Sequence, residues 1–292
     1  MTTLIATPLS NIDRYIAFFS NNDLPVLRRS TRMLAELRAD EDSVSARRIA
    51  AVVLQDPLLA MRLLAYLEAR RRSSQNHDVT TIDRAILMLG ITPFFNKFSD
   101  LPTVEDTLST QPRALVGVLR VIARARTATR HARDWAIQRH DIEVDEITVA
   151  ALLHDAAEIL CWCFAPTLML RVSQLLQDTP GLRSAHAQQA ILGVAIHDLQ
   201  VALARAWGLP QLLVTLMDPS HADNVRVRNV LLANDLARHA ANGWSDPALP
   251  DDYAGIASLL RLSVQTVLER LGVPPEHWPA IEGVNPPGQG AD

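Results

Sequence analysis

Val149-Ala-Ala-Leu-Leu-His-Asp-Ala-Ala-Glu-Ile-Leu160 sets a histidine and an aspartate, His154 and Asp155, in the middle of an otherwise apolar segment. From Ile147 to Leu160 nearly every position is apolar, the pattern of a helix covered by neighbours on all sides. An imidazole and a carboxylate in that setting must be paired, hydrogen-bonded or bound to a cation, because an unsatisfied buried charge is strongly destabilising. The partner has to come from elsewhere in the chain.

The 292 residues, 48% of them hydrophobic, suffice for one large core or two modest ones. Cys161 and Cys163 are the only cysteines. At i and i+2 of a helix they face different ways, so they read as buried thiols of a reducing compartment rather than a disulfide or metal clamp. The formal charge is −4 and Lys97 is the single lysine, a balance that argues against a nucleic-acid partner. No run resembles the roughly 20 apolar residues of a membrane span, and Met1–Arg14 lacks the make-up of a signal peptide; a cytoplasmic protein with no membrane partner is expected.

Helical periodicity recurs almost everywhere and strand alternation nowhere, which predicts an all-α, multi-helical bundle. The spacing predicts helices over Leu9–Phe19 with Ser10 as cap, Pro25–Arg38 with Pro25 at its start, Ala46–Gln55, Leu58–Leu67 behind an Asp56 cap, and Thr81–Leu89 stopped by Gly90. A polar segment with breakers, Ser99–Pro112, is the expected join between an N-terminal helical lobe, residues 1–105, and a second lobe, residues 106–272. The second lobe opens with a long helix from Arg113 to about Arg139. After a turn at Asp141 come the buried helix, Pro166–Gln177, Ala187–Trp207, Val225–Ala241 and Ser263–Leu271. Pro274, Pro275, Pro286 and Pro287 mark residues 273–292 as a disordered tail.

Of four His-Asp dipeptides, those at His77 and His140 lie in polar turns, whereas His154 lies in the apolar segment and His197 follows the apolar run Ala190–Ile196. Two other residues could converge on His154 and Asp155: His131 in the long helix, and Asp235 in Leu-Leu-Ala-Asn-Asp-Leu-Ala. The order His131, His154-Asp155, Asp235 resembles the HD superfamily of metal-dependent phosphohydrolases. The chain from about Asp23 to Leu271 is similar, more closely, to the HDOD domain, the HD-related output domain of bacterial signalling proteins. The residues that carry this are Leu24-Pro25, Gln55-Asp56-Pro57-Leu58-Leu59 with Arg62-Leu63-Leu64, Ala85-Ile86-Leu87-Met88-Leu89-Gly90, Leu152-Leu153-His154-Asp155, Gly193 with His197, and Trp207-Gly208-Leu209-Pro210 followed by His221. Three departures stand beside them: Leu67-Glu68-Ala69 where the family has an Asn-Ser element, Ala157 and Glu158 where active HD enzymes have glycine and lysine, and Ser220-His221 in place of a His-His pair.

Two imidazoles and two carboxylates form a mixed N/O set suited to Mn, Fe or Zn, and a metal with open positions can activate water. The same four residues, His131, His154, Asp155 and Asp235, could equally form a hydrogen-bonded cluster pinning three helices without an ion. His197 and His221 are candidates for an outer position. Arg120 with Arg124, Arg126 with Arg130 and Arg133, the group Arg28, Arg29 and Arg32, and the run Arg70–Arg72 read as solvated helix faces, with a site for a nucleotide or an acidic partner as the alternative. The resemblance implies a signal-transduction protein. With Ala157 and Glu158 opposing a phosphate, the favoured expectation is a non-catalytic module acting through a regulatory protein partner. The alternative is a metal-dependent phosphohydrolase of a nucleotide or cyclic nucleotide.

Overall fold

The computed structural model describes residues 4–70 and 78–279, so Arg71, Arg72, His77 and the end of the expected tail, including Pro286 and Pro287, lie outside the described residues. Among the described residues the fold is all-α; the single β-type contact is an isolated parallel bridge between Val26 and Thr103.

The first helix, α1 (Ile12–Ser20), is capped by Asn11, whose side chain accepts the Arg14 N–H at 3.0 Å, one residue later than the expected Ser10. Pro25 does not open α2 (Arg28–Arg38). Val26 donates to Pro102 O and accepts from Val104 N–H, both at 2.9 Å, and these bonds hold the proline segment extended. Then come α3 (Ala46–Val53), capped by Ser45, and α4 (Pro57–Glu68), capped by Asp56 as expected. α5 (Ile82–Leu89) and α6 (Ile91–Phe98) are joined directly through Gly90 at φ 88°, a value that favours glycine. The expected join contains a short helix, α7 (Val104–Thr107), before the long α8 (Pro112–Gln138).

The segment expected as one buried helix is two, α9 (Val144–Leu153) and α10 (Ala156–Phe164), broken at His154-Asp155. Taken across the break, Val144–Phe164 is long and apolar enough for a membrane span, contrary to the expectation from sequence, but 83% of its most apolar window is buried inside the fold. After α11 (Pro166–Asp178), the expected Ala187–Trp207 helix is likewise two, α12 (Ser184–Leu192) and α13 (Ile196–Ala206), parted at Gly193 in the left-handed region. α14 (Gln211–Met217), α15 (Val225–His239), α16 (Leu249–Leu260) and α17 (Val264–Leu271) follow. Beyond Val273 the chain stays attached through Trp278, which packs on the core and donates from Nε1 to Val273 O at 2.9 Å.

Two apolar cores result, and each takes residues from both sides of Ser99–Pro112. The first gathers Ile49, Leu63, Phe94, Leu152, Met217 and Tyr253. The second gathers Tyr15, Phe19, Val118, Trp162, Phe164 and Leu199. Burying side chains of this size contributes about 1.5–3 kcal/mol each, so both cores are substantial. Helix α8 serves both, with Val118 and Ile122 in the second and Ala128 and Ala132 in the first. The α9–α10 pair crosses over at the same level, Leu153 and Ala156 belonging to the first core and Ala157 and Leu160 to the second. The His154-Asp155 break therefore sits at the seam between the cores.

Candidate functional site

At this seam Asp155 occupies the position before α10, with φ −100° and ψ 14°, yet its carboxylate does not cap the helix. It meets Arg124 of α8 instead: Nε and Nη2 donate to Asp155 Oδ2 at 2.9 and 2.7 Å. Arg124 Nη2 also donates to Glu158 Oε2 at 2.7 Å. His154 Nδ1 lies 3.0 Å from Asp155 Oδ1, so both carboxylate oxygens are engaged. The cap that Asp155 gives up is supplied from α13, where Gln200, itself buried, accepts the Ala157 N–H on Oε1 at 2.7 Å. Gln200 had no signal in the sequence. Arg124 did, since it is flanked along α8 by buried Val121, Ala125 and Ala128, but it was expected on a solvated face; its side chain is only 15% exposed.

Burial works to raise the Asp155 carboxyl, but the Arg124 guanidinium and the His154 hydrogen bond override it and hold the group well below the usual carboxylate range. For Arg124 burial works toward loss of charge, and the carboxylates of Asp155 and Glu158 override it, keeping the guanidinium charged. Since an ionised carboxylate can only accept, His154 donates through Nδ1–H, and in the neutral ring Nε2 is an acceptor. That Nε2 is buried with no partner among the described residues. One guanidinium facing two carboxylates leaves the cluster with a single net negative charge when His154 is neutral.

The other candidates are distributed around this cluster. His197, at the start of α13, has its ring 6.0 Å from that of His154; burial, and then the neighbouring His154, push its pKa down. His221 is exposed, with Nδ1 3.9 Å from Asp218 Oδ2, and it has no contact with the pair. His131 lies two turns beyond Arg124 and stacks on Trp135 at 5.6 Å, its pKa lowered by burial and then by Arg130. Asp235 is bound by Arg238, one turn further along α15. Neither His131 nor Asp235 forms a hydrogen bond or ion pair with His154 or Asp155, so the four residues do not make one hydrogen-bonded cluster. Each found a nearer partner on its own helix.

The donor set also bears on the metal that the resemblance implies. Among the described residues no group of three or more His, Cys, Asp or Glu is arranged to hold a metal ion. Arg124 occupies Asp155 Oδ2 and ties up Glu158, so a guanidinium stands on the carboxylates a cation would need. The residues present do not fit a divalent metal at this place. Glu158, expected to repel a phosphate, shares the single positive charge of Arg124 with Asp155. Cys161 and Cys163 are free and buried, and burial pushes both thiols upward.

The cluster lies in the wall of a cavity of about 810 Å³ between α8, α10, α11 and α13, which also reaches Arg238.

The all-α bundle with its enclosed His-Asp pair agrees with the resemblance to the HD-related output domains. The model of that family, the HDOD domain, matches residues 24–222, and the chain belongs to it. Two solved structures share the fold. The MmoQ response regulator from Methylococcus capsulatus is 19% identical, with a TM-score of 0.63 over 86% of this chain and 98% of its own. A virulence factor from Campylobacter jejuni is 16% identical, with a TM-score of 0.65 over 92% of this chain and 96% of its own. No curated protein matches the chain.

Proposed function

We propose that this HDOD protein is a non-catalytic regulatory module of the cytoplasm that relays a signal through contacts with a protein partner. The observation that carries this reading is the Arg124–Asp155–Glu158 triad: the carboxylate an HD enzyme would offer to a metal is already satisfied by an internal cation. A guanidinium provides charge balance but no exchangeable water, so the site lacks the means to generate hydroxide near neutrality. The signalling context of the family and the response-regulator relative support a relay role. Exposed apolar side chains offer contact surface, Leu87 and Met88 on α5 and Val116 and Leu119 on α8. The acidic balance of the chain gives no support to a nucleic-acid partner.

The test is elemental analysis of protein purified without chelator, joined to hydrolysis assays on nucleotides and cyclic dinucleotides with added Mn²⁺. The expected outcome is substoichiometric metal and no turnover. Turnover in the wild type that Asp155→Ala abolishes, with the fold unchanged by circular dichroism, would establish the phosphohydrolase instead.

A further inference from the structure

The cavity beside the triad is lined along one face of α8 by Arg113, Val116, Gly117, Arg120 and Arg124 in turn. Asp155, Glu158 and Arg124 set their net negative charge at the Arg124 level of that face. Arg120 and Arg113 stand one and three turns N-terminal to Arg124, both exposed and neither hydrogen-bonded nor ion-paired among the described residues. The rest of the lining combines apolar Val116, Met169, Leu176 and Ile196 and the indole of Trp162 with polar Ser173, Gln177 and Gln188.

Trp162 is held there by a gap in α8. A Cβ at Gly117 would lie 2.5 Å from Trp162 Cζ3, so only glycine lets the indole rest against the helix backbone. The indole is 6% exposed, and its Nε1–H, which can only donate, has no acceptor among the described residues. His154 Nε2 is in the same condition. Both nitrogens belong to residues that line one cavity, a cost that a native fold rarely carries, and a ligand acceptor at the indole would relieve the Trp162 share of it.

We propose that this cavity binds a small amphipathic anion, with its carboxylate, sulfonate or phosphate head at Arg113 and Arg120 and its apolar body against Trp162. The net negative charge of the triad biases the head toward Arg113, the arginine farther from it along α8. An acceptor on the body or head takes the Trp162 N–H. The volume, about 810 Å³, lies in the range of small-molecule sites. This ligand site goes beyond the relay role and stands whether or not a protein partner exists, since binding is measured on the chain alone.

The test is fluorescence titration, at physiological ionic strength, with 8-anilinonaphthalene-1-sulfonate and its headless counterpart N-phenyl-1-naphthylamine. Wild type is expected to bind the sulfonate at a single saturable site. The double variant Arg113→Gln/Arg120→Gln, altered only at exposed positions, is expected to bind it roughly tenfold more weakly through loss of charge-assisted contacts, while its affinity for the neutral amine is unchanged. Trp162→Phe, which keeps the ring and deletes the N–H, is expected to weaken the sulfonate as well; if that variant fails to fold, the arginine pair decides alone. No saturable binding of the sulfonate, or an affinity in the double variant within about threefold of wild type, a difference too small for two lost charge-assisted contacts, overturns the proposal.

Discussion

Asp56 and Asp155 both stand at the residue before a helix, α4 and α10, and both carboxylates are shielded from water, yet they are used differently. Asp56 is spent on backbone: Oδ1 accepts the N–H groups of Leu58 and Leu59 at 3.2 Å each, and Oδ2 accepts that of Leu27 at 2.7 Å. Among the described residues it forms no ion pair, and burial pushes its carboxyl upward, with the Leu27 N–H, the Ser30 hydroxyl and the Leu58 and Leu59 N–H groups pulling it partly back. Asp155 abandons capping, takes a guanidinium, and is driven the other way. A helix start can thus be a local joint or a long-range electrostatic site. The difference is whether a cation arrives from another element.

The largest expected effect follows from removing that cation. Arg124→Leu leaves two buried carboxylates facing each other, and urea unfolding is expected to show a loss of about 3–5 kcal/mol. Arg124→Lys keeps the charge but cannot reach both acids with a planar fork, so a smaller loss is expected. If Arg124→Leu costs less than removal of the Asp56 carboxylate, the contrast between a paired charge and a backbone cap is wrong.

This pair of aspartates also marks what could be read from the chain in advance. Asp56-Pro57 announces its cap within three residues, because the acceptor and the N–H groups of α4 are local and the proline fixes the first turn. Arg124 and Asp155 are 31 residues apart, and only the packing of α8 on α10 makes them neighbours. The break at His154-Asp155 was hidden for a related reason: apolar residues continue through it without interruption, since the segment leaves one core and enters the other directly. At Gly193 the breaker was visible, but an apolar pattern on both sides bridged it. The all-α class rested on a periodicity repeated along the whole chain, and single breaks do not disturb it. His131 and Asp235 are not bonded to the pair and meet Trp135 and Arg238, four and three residues on, contacts that cost no long-range ordering.

A smaller loss is expected at Asp56. Asp56→Ala strands three buried N–H groups and removes a cap, at a cost of about 2 kcal/mol. Asp56→Asn retains one acceptor oxygen for Leu58 and Leu59, but turns an amide donor toward the Leu27 N–H, so roughly half of that loss should remain. Equal losses for the two variants would mean that the Leu27 bond, rather than the α4 cap, dominates.

The smallest effect is a matter of pH, and it distinguishes the two aspartates by sign. Asp155 has a folded pKa below its unfolded value, so its contribution is fully present above about pH 4 and is lost as the pH falls through the unfolded value toward the folded one. Asp56 has a folded pKa above its unfolded value, so in the window between the two the folded state binds the extra proton. Acidification through that window, which begins above about pH 4, therefore favours folding at Asp56. Chemical unfolding of wild type, Asp56→Asn and Asp155→Asn between pH 7 and pH 3 measures both. Relative to wild type, Asp56→Asn should lose more stability on the way down to pH 4, because the compensating proton uptake is gone. Asp155→Asn should start less stable at pH 7 and lose less below pH 4, because its share of the acid-labile stability has already been removed. Parallel curves for the two variants would mean that Arg124 does not set the Asp155 charge, and the contrast between a capping and an ion-paired carboxylate would fail at its electrostatic root.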